Sequence, residues 1–311
     1  MDAATLRPLG IGETLDVAIK VYRARFGTLV KTVGVVVAPV FVLGALVQLS
    51  LLPDSEDDVV QTDPVTGEIT TVDASEVWTI VAGFILLAFL TYLAAQLATA
   101  AAFKIIGASY LGEEVEWRDS LRFAFGRLRS LVWLSILTGL GLLLGFLACI
   151  LPGIYLYGAW SVAVPALVLE DARGRAALGR SRRLVQGRWW PVFGVVVLSW
   201  LLTTIVSGAL GGLLGGIVAF GDNDTVAAFA DAVAQAAASM LTTPFAAAVA
   251  TVLYFDLRVR KEGFDLELLA RNVGVEPPAD FRATAPPPTP ESDADQPPFW
   301  PPPPGWRPPD A

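Results

Sequence analysis

Six long apolar stretches divide this 311-residue chain, and its basic residues are confined to every second segment between them. All 22 Lys and Arg residues lie before the first stretch, between the second and third, between the fourth and fifth, or after the sixth. Basic residues near the ends of spans stay on the cytoplasmic side during insertion. The pattern therefore predicts six transmembrane helices with both termini in the cytoplasm.

The predicted fold is an all-α membrane protein whose six transmembrane helices form three hairpins with interfacial amphipathic helices. Such spans need about 20 apolar residues to cross a hydrocarbon core about 30 Å thick. The expected segments are a cytoplasmic amphipathic segment (1–32), a six-span membrane domain (33–256), a cytoplasmic juxtamembrane segment (257–272) and a Pro-rich tail (273–311). The spans are expected at about 33–52, 78–103, 131–151, 154–169, 192–220 and 232–255.

Prolines predict where the spans bend or turn. Pro152-Gly153 is a strong turn signal between the third and fourth spans. Pro39, Pro165 and Pro244 lie within spans, where a proline removes a backbone hydrogen bond and kinks the helix. The fourth span is short, and Pro165 is expected to interrupt it near its cytoplasmic end.

Glycines recur at four-residue spacing in two spans. Gly208, Gly212 and Gly216 lie in the fifth span, which is long enough to tilt or break at its glycines, and Gly141 and Gly145 lie in the third. Such faces allow helix backbones to approach closely. Packing within one chain is sufficient to explain both sets, and a homo-oligomer is compatible with them but not required.

Basic amphipathic stretches precede three pairs of spans. In the first, apolar residues recur at helical spacing: Ile11, Leu15, Ile19, Tyr22 and Phe26. This pattern is typical of a helix lying on the membrane or of one packed on the bundle. A second such helix is expected from Trp117 to Arg129, separate from the third span.

The basic residues of these stretches predict contacts with anionic lipid headgroups, each worth about 1 kcal/mol near the surface. The insertion rule alone also explains their placement. Nucleic acid is not an expected partner, because the basic residues lie in short blocks against the bilayer. The candidate headgroup contacts are Lys20, Arg23, Arg25, Arg122, Arg127, Arg129, Arg182, Arg183 and Arg188.

The connection between the first two spans, residues 53–76, has eight acidic residues and no basic one. Residues 63–67 lie between flanks rich in Val, Ile and Thr, which predicts a small β-hairpin. Calcium binding is an alternative to a solvated external loop, but the acidic spacing lacks the pattern of a calcium-binding loop.

The chain lacks the residues of common catalytic sites. It has no histidine, which excludes a Ser-His-Asp triad and histidine metal sites. Its single cysteine, Cys149, lies in a predicted span and is expected to be a small buried apolar residue. No Asp, Glu, Lys or Arg lies inside a span away from its ends, which argues against ion-coupled transport. We therefore expect no catalytic, cofactor-binding or metal-binding residue; an intramembrane enzyme would need converging acids such as Glu170 and Asp256.

The tail, residues 273–311, holds 14 of the 22 prolines. Such a segment is expected to be disordered and to sample polyproline II. Phe299, Trp300 and Trp306 flank proline runs and are candidate contacts for the aromatic groove of a protein partner. A solubilising tail is the alternative.

Several segments together resemble a known group: Leu9-Gly10-Ile11-Gly12-Glu13, Pro152-Gly153-Ile154-Tyr155-Leu156, Val164-Pro165-Ala166-Leu167-Val168-Leu169-Glu170, Ala177-Leu178-Gly179-Arg180-Ser181 and Tyr254-Phe255-Asp256-Leu257-Arg258-Val259-Arg260-Lys261-Glu262. They are similar to uncharacterised actinobacterial membrane proteins related to the membrane domain of glycerophosphoryl diester phosphodiesterases. The resemblance implies a six-span helical domain. It implies no catalytic residues, because the phosphodiesterase activity resides in a separate histidine-dependent barrel that this chain has no room for.

Two functional hypotheses follow. The leading one is a non-catalytic protein of the bacterial plasma membrane that contacts lipids or acts as a scaffold through its Pro-rich tail. The alternative is a transporter or exporter of a lipid-like or small hydrophobic solute, favoured by the kinked spans, since discontinuous helices often line binding sites.

Overall fold

A computed structural model describes residues 9–51, 60–62, 69–72, 74–110, 112–113, 115–170, 172, 174–218 and 224–264. All of them belong to one compact unit, residues 1–269. The predicted disordered tail lies outside the described residues. The elements are α1 (Ile11–Ala24), α2 (Phe26–Leu51), β1 (Val60–Thr62), β2 (Ile69–Val72), α3 (Ala74–Tyr110), α4 (Trp117–Ala148), α5 (Ile150–Ala159), α6 (Ala163–Glu170), α7 (Arg175–Val185), α8 (Trp189–Val218) and α9 (Asp224–Glu262).

Within the described residues, six helical stretches are long and apolar enough to cross a membrane: Phe26–Val47, Val77–Tyr110, Trp117–Ala148, Ile150–Glu170, Trp189–Leu213 and Thr225–Glu262. Large apolar side chains on them remain exposed, including Leu147 at 73%, Leu213 at 67% and Ile85 at 64%. Apolar surface of this extent is unfavourable in water and suits contact with lipid chains. The chain is a multi-pass, membrane-embedded helical protein, as the sequence predicts.

The predicted hairpin forms between α2 and α3. Strands β1 and β2 pair antiparallel, with Val60 opposite Val72 and Gln61 opposite Thr71. Their β-branched residues favour extended backbone. Residues 63–68, which include the predicted turn at 63–67, lie outside the described part of the chain. The prediction of strands on either side of this turn is confirmed.

The helices are longer than the predicted spans. Helices α3 and α9 contain 37 and 39 residues, or about 55 and 58 Å at 1.5 Å per residue, which exceeds the hydrocarbon thickness. Helix α4 begins at Trp117 and continues to Ala148. The second basic stretch is therefore not a separate interfacial helix, and that prediction is wrong. Gly126 alone is too weak a break to end a helix.

The turn between the third and fourth spans is at Cys149, not at Pro152-Gly153. Cys149 has extended backbone, with φ −174° and ψ 152°, and separates α4 from α5. Pro152 is the third residue of α5, a position where its missing N–H would have no helical partner. Cys149 is exposed, so the expectation that it is a buried apolar residue is wrong.

The fourth span is broken, but before Pro165. Residues 160–162 separate α5 from α6, and Pro165 lies in the first turn of α6. By contrast, α8 runs without interruption from Trp189 to Val218. Of the two alternatives for the fifth span, tilting or breaking at its glycines, the break does not occur. Pro39 and Pro244 both lie inside continuous helices.

The two glycine sets differ in their surroundings. A Cβ atom on Gly141 would lie 2.5 Å from the Trp160 ring, and one on Gly145 would lie 3.2 Å from the Gly153 backbone. These glycines let α5 approach α4 closely, as predicted. A Cβ atom on Gly208, Gly211, Gly212 or Gly216 would meet no atom within 4 Å among the described residues. Packing against the described residues therefore does not explain these four glycines of α8.

The packed core lies where the basic residues cluster. We call this region the basic end: α1, α6, α7, residues 100–110 of α3, residues 117–134 of α4, and residues 247–264, which contain the end of α9. Residues 247–249 and 251–257 of α9 are buried on all sides of the helix. The Tyr110 and Phe255 rings stack there at 4.7 Å. This packing fixes the positions of the charged side chains at the helix ends.

Candidate functional site

An arginine–carboxylate network joins α6, α7 and α9 at the basic end. Arg180 donates from Nε and Nη2 to the two carboxylate oxygens of Glu170, both at 2.6 Å. Its Nη2 also donates to Glu262 Oε2 at 2.7 Å, and its Nη1 donates to Glu262 Oε1. The guanidinium thus bridges two carboxylates, each through two oxygens, which is the strongest geometry for such pairs.

Two further side chains complete this network. The Tyr254 hydroxyl donates to Glu170 Oε1. Arg258 Nε lies 3.4 Å from Glu170 Oε1 and 3.2 Å from Glu262 Oε2, and its guanidinium carbon lies 3.9 Å from the centre of the Phe264 ring. Two arginines therefore balance two glutamates. We call the group Glu170, Arg180, Tyr254, Arg258 and Glu262 the charge network.

Because the charged side chains of the charge network are mostly buried, each one depends on the others for its opposite charge. The Arg180 and Arg258 side chains are each only 18% exposed, and Glu170 is 21% exposed. Burial alone would lower the pKa of the Arg180 guanidinium, but the hydrogen bonds and charges of Glu262 and Glu170 raise it above its ordinary value. Arg180 therefore keeps its charge at any physiological pH and serves as a permanent counter-ion.

A second charged arrangement holds the start of α1 against α9. The Leu9 backbone N–H donates to Asp256 Oδ1 at 2.7 Å, and Arg260 Nη2 donates to the Leu9 carbonyl at 2.7 Å. Arg260 Nε contacts both Asp256 oxygens, at 3.0 and 2.9 Å. We call Leu9, Asp256 and Arg260 the N-terminal clasp. Because its Asp256 side chain is only 7% exposed, the clasp is largely shielded from water.

Glu170 and Asp256, the acidic pair considered for an intramembrane enzyme, lie in these two separate arrangements. Glu170 shares Arg180 with Glu262, whereas Asp256 pairs with Arg260. Each carboxylate is held by an arginine on its own side of the basic end.

Six of the predicted headgroup contacts are exposed and three are half-buried. The exposed ones, which we call the basic rim, are Lys20, Arg23, Arg122, Arg129, Arg182 and Arg183. Lys20 pairs with Asp16 at 2.7 Å, but the two side chains are 71% and 62% exposed, so this pair contributes little to stability. Arg122 is 87% exposed. These side chains are accessible to ligands outside the chain.

The half-buried set consists of Arg25, Arg127 and Arg188. Arg127 donates from Nη1 to the Leu167 carbonyl at 3.2 Å and lies 4.7 Å from the Phe123 ring centre. Arg127 thus connects α4 to α6 through the backbone of the broken span. Its position is set by packing as well as by any outside ligand.

The sequence of α1 is typical of a helix lying on the membrane or of one packed on the bundle, and α1 has features of both. Leu15 is buried, and the Tyr22 hydroxyl donates to the Leu241 carbonyl at 3.2 Å, so this face packs on the bundle. Ile11, Ile19 and Phe26 are 44%, 40% and 42% exposed. The predicted apolar stripe is therefore divided between the protein core and an exposed edge.

Side chains donate hydrogen bonds to the backbone carbonyls next to the break between α5 and α6. Three carbonyls before the break accept hydrogen bonds: Tyr155 from Trp189 Nε1 at 3.0 Å, Gly158 from Ser161 Oγ at 2.9 Å and Ala159 from buried Ser181 Oγ at 2.8 Å. Freed backbone carbonyls need such partners inside a membrane. The break is thus stabilised by α7 and by the start of α8.

The charge network was not predicted from the sequence as a unit. A signal does exist at the end of α9, where Asp256 and Arg260, and Arg258 and Glu262, are spaced four residues apart and face each other on the helix. No sequence spacing indicates that Arg180 would bridge α6 and α9. The candidate partner-binding residues Phe299, Trp300 and Trp306 lie outside the described residues.

Comparison with known families covers the second half of the membrane domain. Residues 121–275 match a domain of unknown function, DUF8558. No curated protein and no solved structure matches the chain. The matched segment contains the whole charge network and the Asp256 and Arg260 part of the N-terminal clasp. The match supplies no activity.

Proposed function

We propose that the chain is a non-catalytic protein of the bacterial plasma membrane that contacts anionic lipids through its basic rim. The observation that carries this proposal is the exposure of six cations on α1, α4 and α7 at one end of an apolar bundle. Anionic headgroups attract basic residues next to the bilayer. The charge network is internally balanced and mostly buried, whereas the side chains of the basic rim are exposed.

The proposed orientation places the basic end and both termini in the cytoplasm. Its support is the insertion preference of Lys and Arg and the absence of both from the 53–76 connection, which would then lie outside. In this orientation the basic rim faces the cytoplasmic leaflet, whose anionic lipids supply the complementary charge.

We further propose a scaffold role for the tail, residues 273–311, whose Phe299, Trp300 and Trp306 flank proline runs. Preordered polyproline segments bind aromatic grooves on other proteins. The proposal includes no reaction and no cofactor, in keeping with the arginine-held acids of the charge network.

A relation to the membrane domain of glycerophosphoryl diester phosphodiesterases also remains a proposal. It is supported by the way the resembling segments meet: Leu9 contacts Asp256, and Glu170 contacts Arg180. Separate parts of the motif set thus make one structure at the basic end. The relation concerns the membrane fold alone.

Lipid contact can be tested by extracting the full-length protein from native membranes in polymer nanodiscs and quantifying the lipids retained. A variant with Lys20, Arg23, Arg182 and Arg183 all changed to Gln should retain several-fold less anionic lipid, at about 1 kcal/mol per basic residue. A matched control changes the three arginines to Lys and keeps the charge. An unchanged anionic fraction in the Gln variant would contradict the proposal.

The scaffold role can be tested by crosslinking cells before purification, with and without residues 273–311. Loss of a co-purifying protein on deletion, together with normal membrane insertion, is the expected result. Changing Phe299, Trp300 and Trp306 to Ala in an otherwise intact tail should reproduce the loss. Equal recovery of partners by all three forms would argue against a tail-mediated scaffold.

The break between α5 and α6 favours the second candidate, a transporter of a lipid-like or small hydrophobic solute, since broken spans often line binding sites. Trp189, Ser161 and Ser181 donate hydrogen bonds to the carbonyls at the break. These bonds favour the first candidate, the non-catalytic lipid-contacting protein. Lipid exchange between leaflets in reconstituted vesicles separates them. Wild-type protein that accelerates exchange, with the acceleration altered by Ser181→Ala, would favour transport.

A further inference from the structure

Two aromatic rings near the start of α4 each carry a pair of cations. The Phe123 ring centre lies 5.3 Å from Lys104 Nζ and 4.7 Å from the Arg127 guanidinium carbon. The Trp117 ring centre lies 4.9 Å from Lys31 Nζ and 5.1 Å from the Arg118 guanidinium carbon. Both pairs combine a lysine from an earlier span helix with an arginine from α4.

These lysines differ from the arginines of α7 and α9 in their counter-ions. Arg180, Arg258 and Arg260 all contact carboxylates. Among the residues that the structure describes, no carboxylate forms an ion pair with Lys104 or Lys31. Lys104 is half-buried, and a partly desolvated ammonium is unfavourable without an opposite charge. The Phe123 ring compensates for only part of this.

The position of Lys104 along α3 indicates which negatively charged group could lie beside its ammonium. On α3 it is the first ionisable residue after the apolar run of residues 77–103, so it marks the boundary where lipid phosphates lie. One turn further on, Gly107 brings α3 against Leu169 of α6, since a Cβ atom there would lie 2.5 Å from Leu169 Cδ2. Lys104 and Arg127 are thus held on a fixed framework of α3, α4 and α6.

We propose that Lys104, Phe123 and Arg127 form a binding site for the phosphate of one anionic phospholipid. The phosphate oxygens accept from the Lys104 ammonium and lie beside the Arg127 guanidinium, and the glycerol and acyl carbons lie along the Phe123 ring. This inference rests on the proposed lipid-contacting function but differs from it: the basic rim attracts anionic lipid generally, whereas this site holds one molecule in a defined place.

The test is native mass spectrometry of the full-length protein in detergent, titrated with dioleoyl-phosphatidylglycerol and, for comparison, dioleoyl-phosphatidylcholine. Wild-type protein should bind one phosphatidylglycerol more tightly than any further copy. Lys104→Gln should weaken that first affinity about fivefold. Lys104→Arg should preserve it, and so should Lys261→Gln, which removes an exposed lysine elsewhere at the basic end.

Phe123→Leu provides a second variant that keeps both charges, and it should weaken the first affinity about two- to fivefold. Equal losses in Lys104→Gln and Lys261→Gln would overturn the site while leaving general lipid contact intact. No preference of wild-type protein for phosphatidylglycerol over phosphatidylcholine would overturn both. Displacement of the lipid by millimolar inorganic phosphate would overturn the assignment to a lipid headgroup.

Discussion

Arg180 is the residue on which the charge network depends, because it bonds to both oxygens of Glu170 and both oxygens of Glu262. Removing one member of a buried ionic group leaves the others without compensation, which costs more than the intact group contributes. Arg258 also contacts both glutamates, but at 3.4 and 3.2 Å, which is longer than the 2.6 and 2.7 Å contacts of Arg180. The effect of substitution should therefore exceed that of any exposed arginine nearby.

Arg180→Met is expected to destabilise the protein by about 2–3 kcal/mol, somewhat less than for a fully buried pair because the side chains retain some exposure. The measurement is the apparent unfolding temperature in detergent. Arg182→Met, two residues along α7 and exposed, should change it little. The double variant Arg180→Met with Glu262→Met should lose less than the sum of the single variants, because it removes opposite charges together. Strict additivity would contradict the coupling.

Arg260 has a comparable role in the N-terminal clasp, where it contacts both the Leu9 carbonyl and Asp256. Arg260→Ala should release the start of α1 while leaving the membrane helices in place. Hydrogen exchange at the amides of residues 9–15 should then accelerate more than tenfold, corresponding to a loss of about 1.4 kcal/mol or more. Lys261→Ala is the control, because Lys261 is exposed. Unchanged protection in Arg260→Ala would show that apolar packing alone holds α1.

At the scale of elements, the apolar runs and the alternation of basic residues were sufficient to predict six spans and their order. The β-branched flanks of residues 63–67 were sufficient to predict the hairpin strands. The positions of breaks were not predictable, because they depend on distant partners. Pro152 fits the first turn of α5, while Trp160, Trp189 and Ser181 stabilise an interruption that no local residue signals.

The role of the glycines was not predictable from their spacing either. The same four-residue spacing permits close helix packing in α4 but faces no described neighbour in α8. Gly141→Ala should lower the apparent unfolding temperature by several degrees, because its Cβ atom would lie 2.5 Å from Trp160. Gly212→Ala should not lower it, since no described atom lies within 4 Å of that position and alanine favours helix. A matching loss in Gly212→Ala, with a change in oligomeric state by light scattering, would instead indicate that α8 packs against a second copy.

The candidate sites were predictable to different degrees. The exposed cations of the basic rim follow from the charge pattern, and six of the nine expected headgroup contacts are exposed. Arg127 shows why the pattern is incomplete: its contacts with Leu167 and Phe123 depend on how α4 meets α6. The charge network and the N-terminal clasp join residues far apart in sequence, so only the folded chain reveals them.

For the whole molecule, packing and charge divide the bundle into two unlike ends. At the basic end, residues 247–249 and 251–257 of α9 are buried on all sides, and Asp256 pairs with Arg260 and Arg258 with Glu262. Toward the other end, long helices expose apolar side chains such as Leu147, Ile85 and Leu213. The exposed apolar surface suits lipid chains, and the ionic contacts suit the boundary with water. This division is the physical basis for the proposed orientation.

The orientation can be measured directly with single cysteines. In a Cys149→Ser background, Gln61→Cys lies on strand β1 and Arg182→Cys lies on α7 at the basic end. A membrane-impermeant thiol reagent applied to intact spheroplasts should label position 61 and leave position 182 unlabelled until the cells are permeabilised. Labelling of position 182 in intact cells, with position 61 protected, would contradict the six-span orientation and the assignment of the basic rim to the cytoplasmic leaflet.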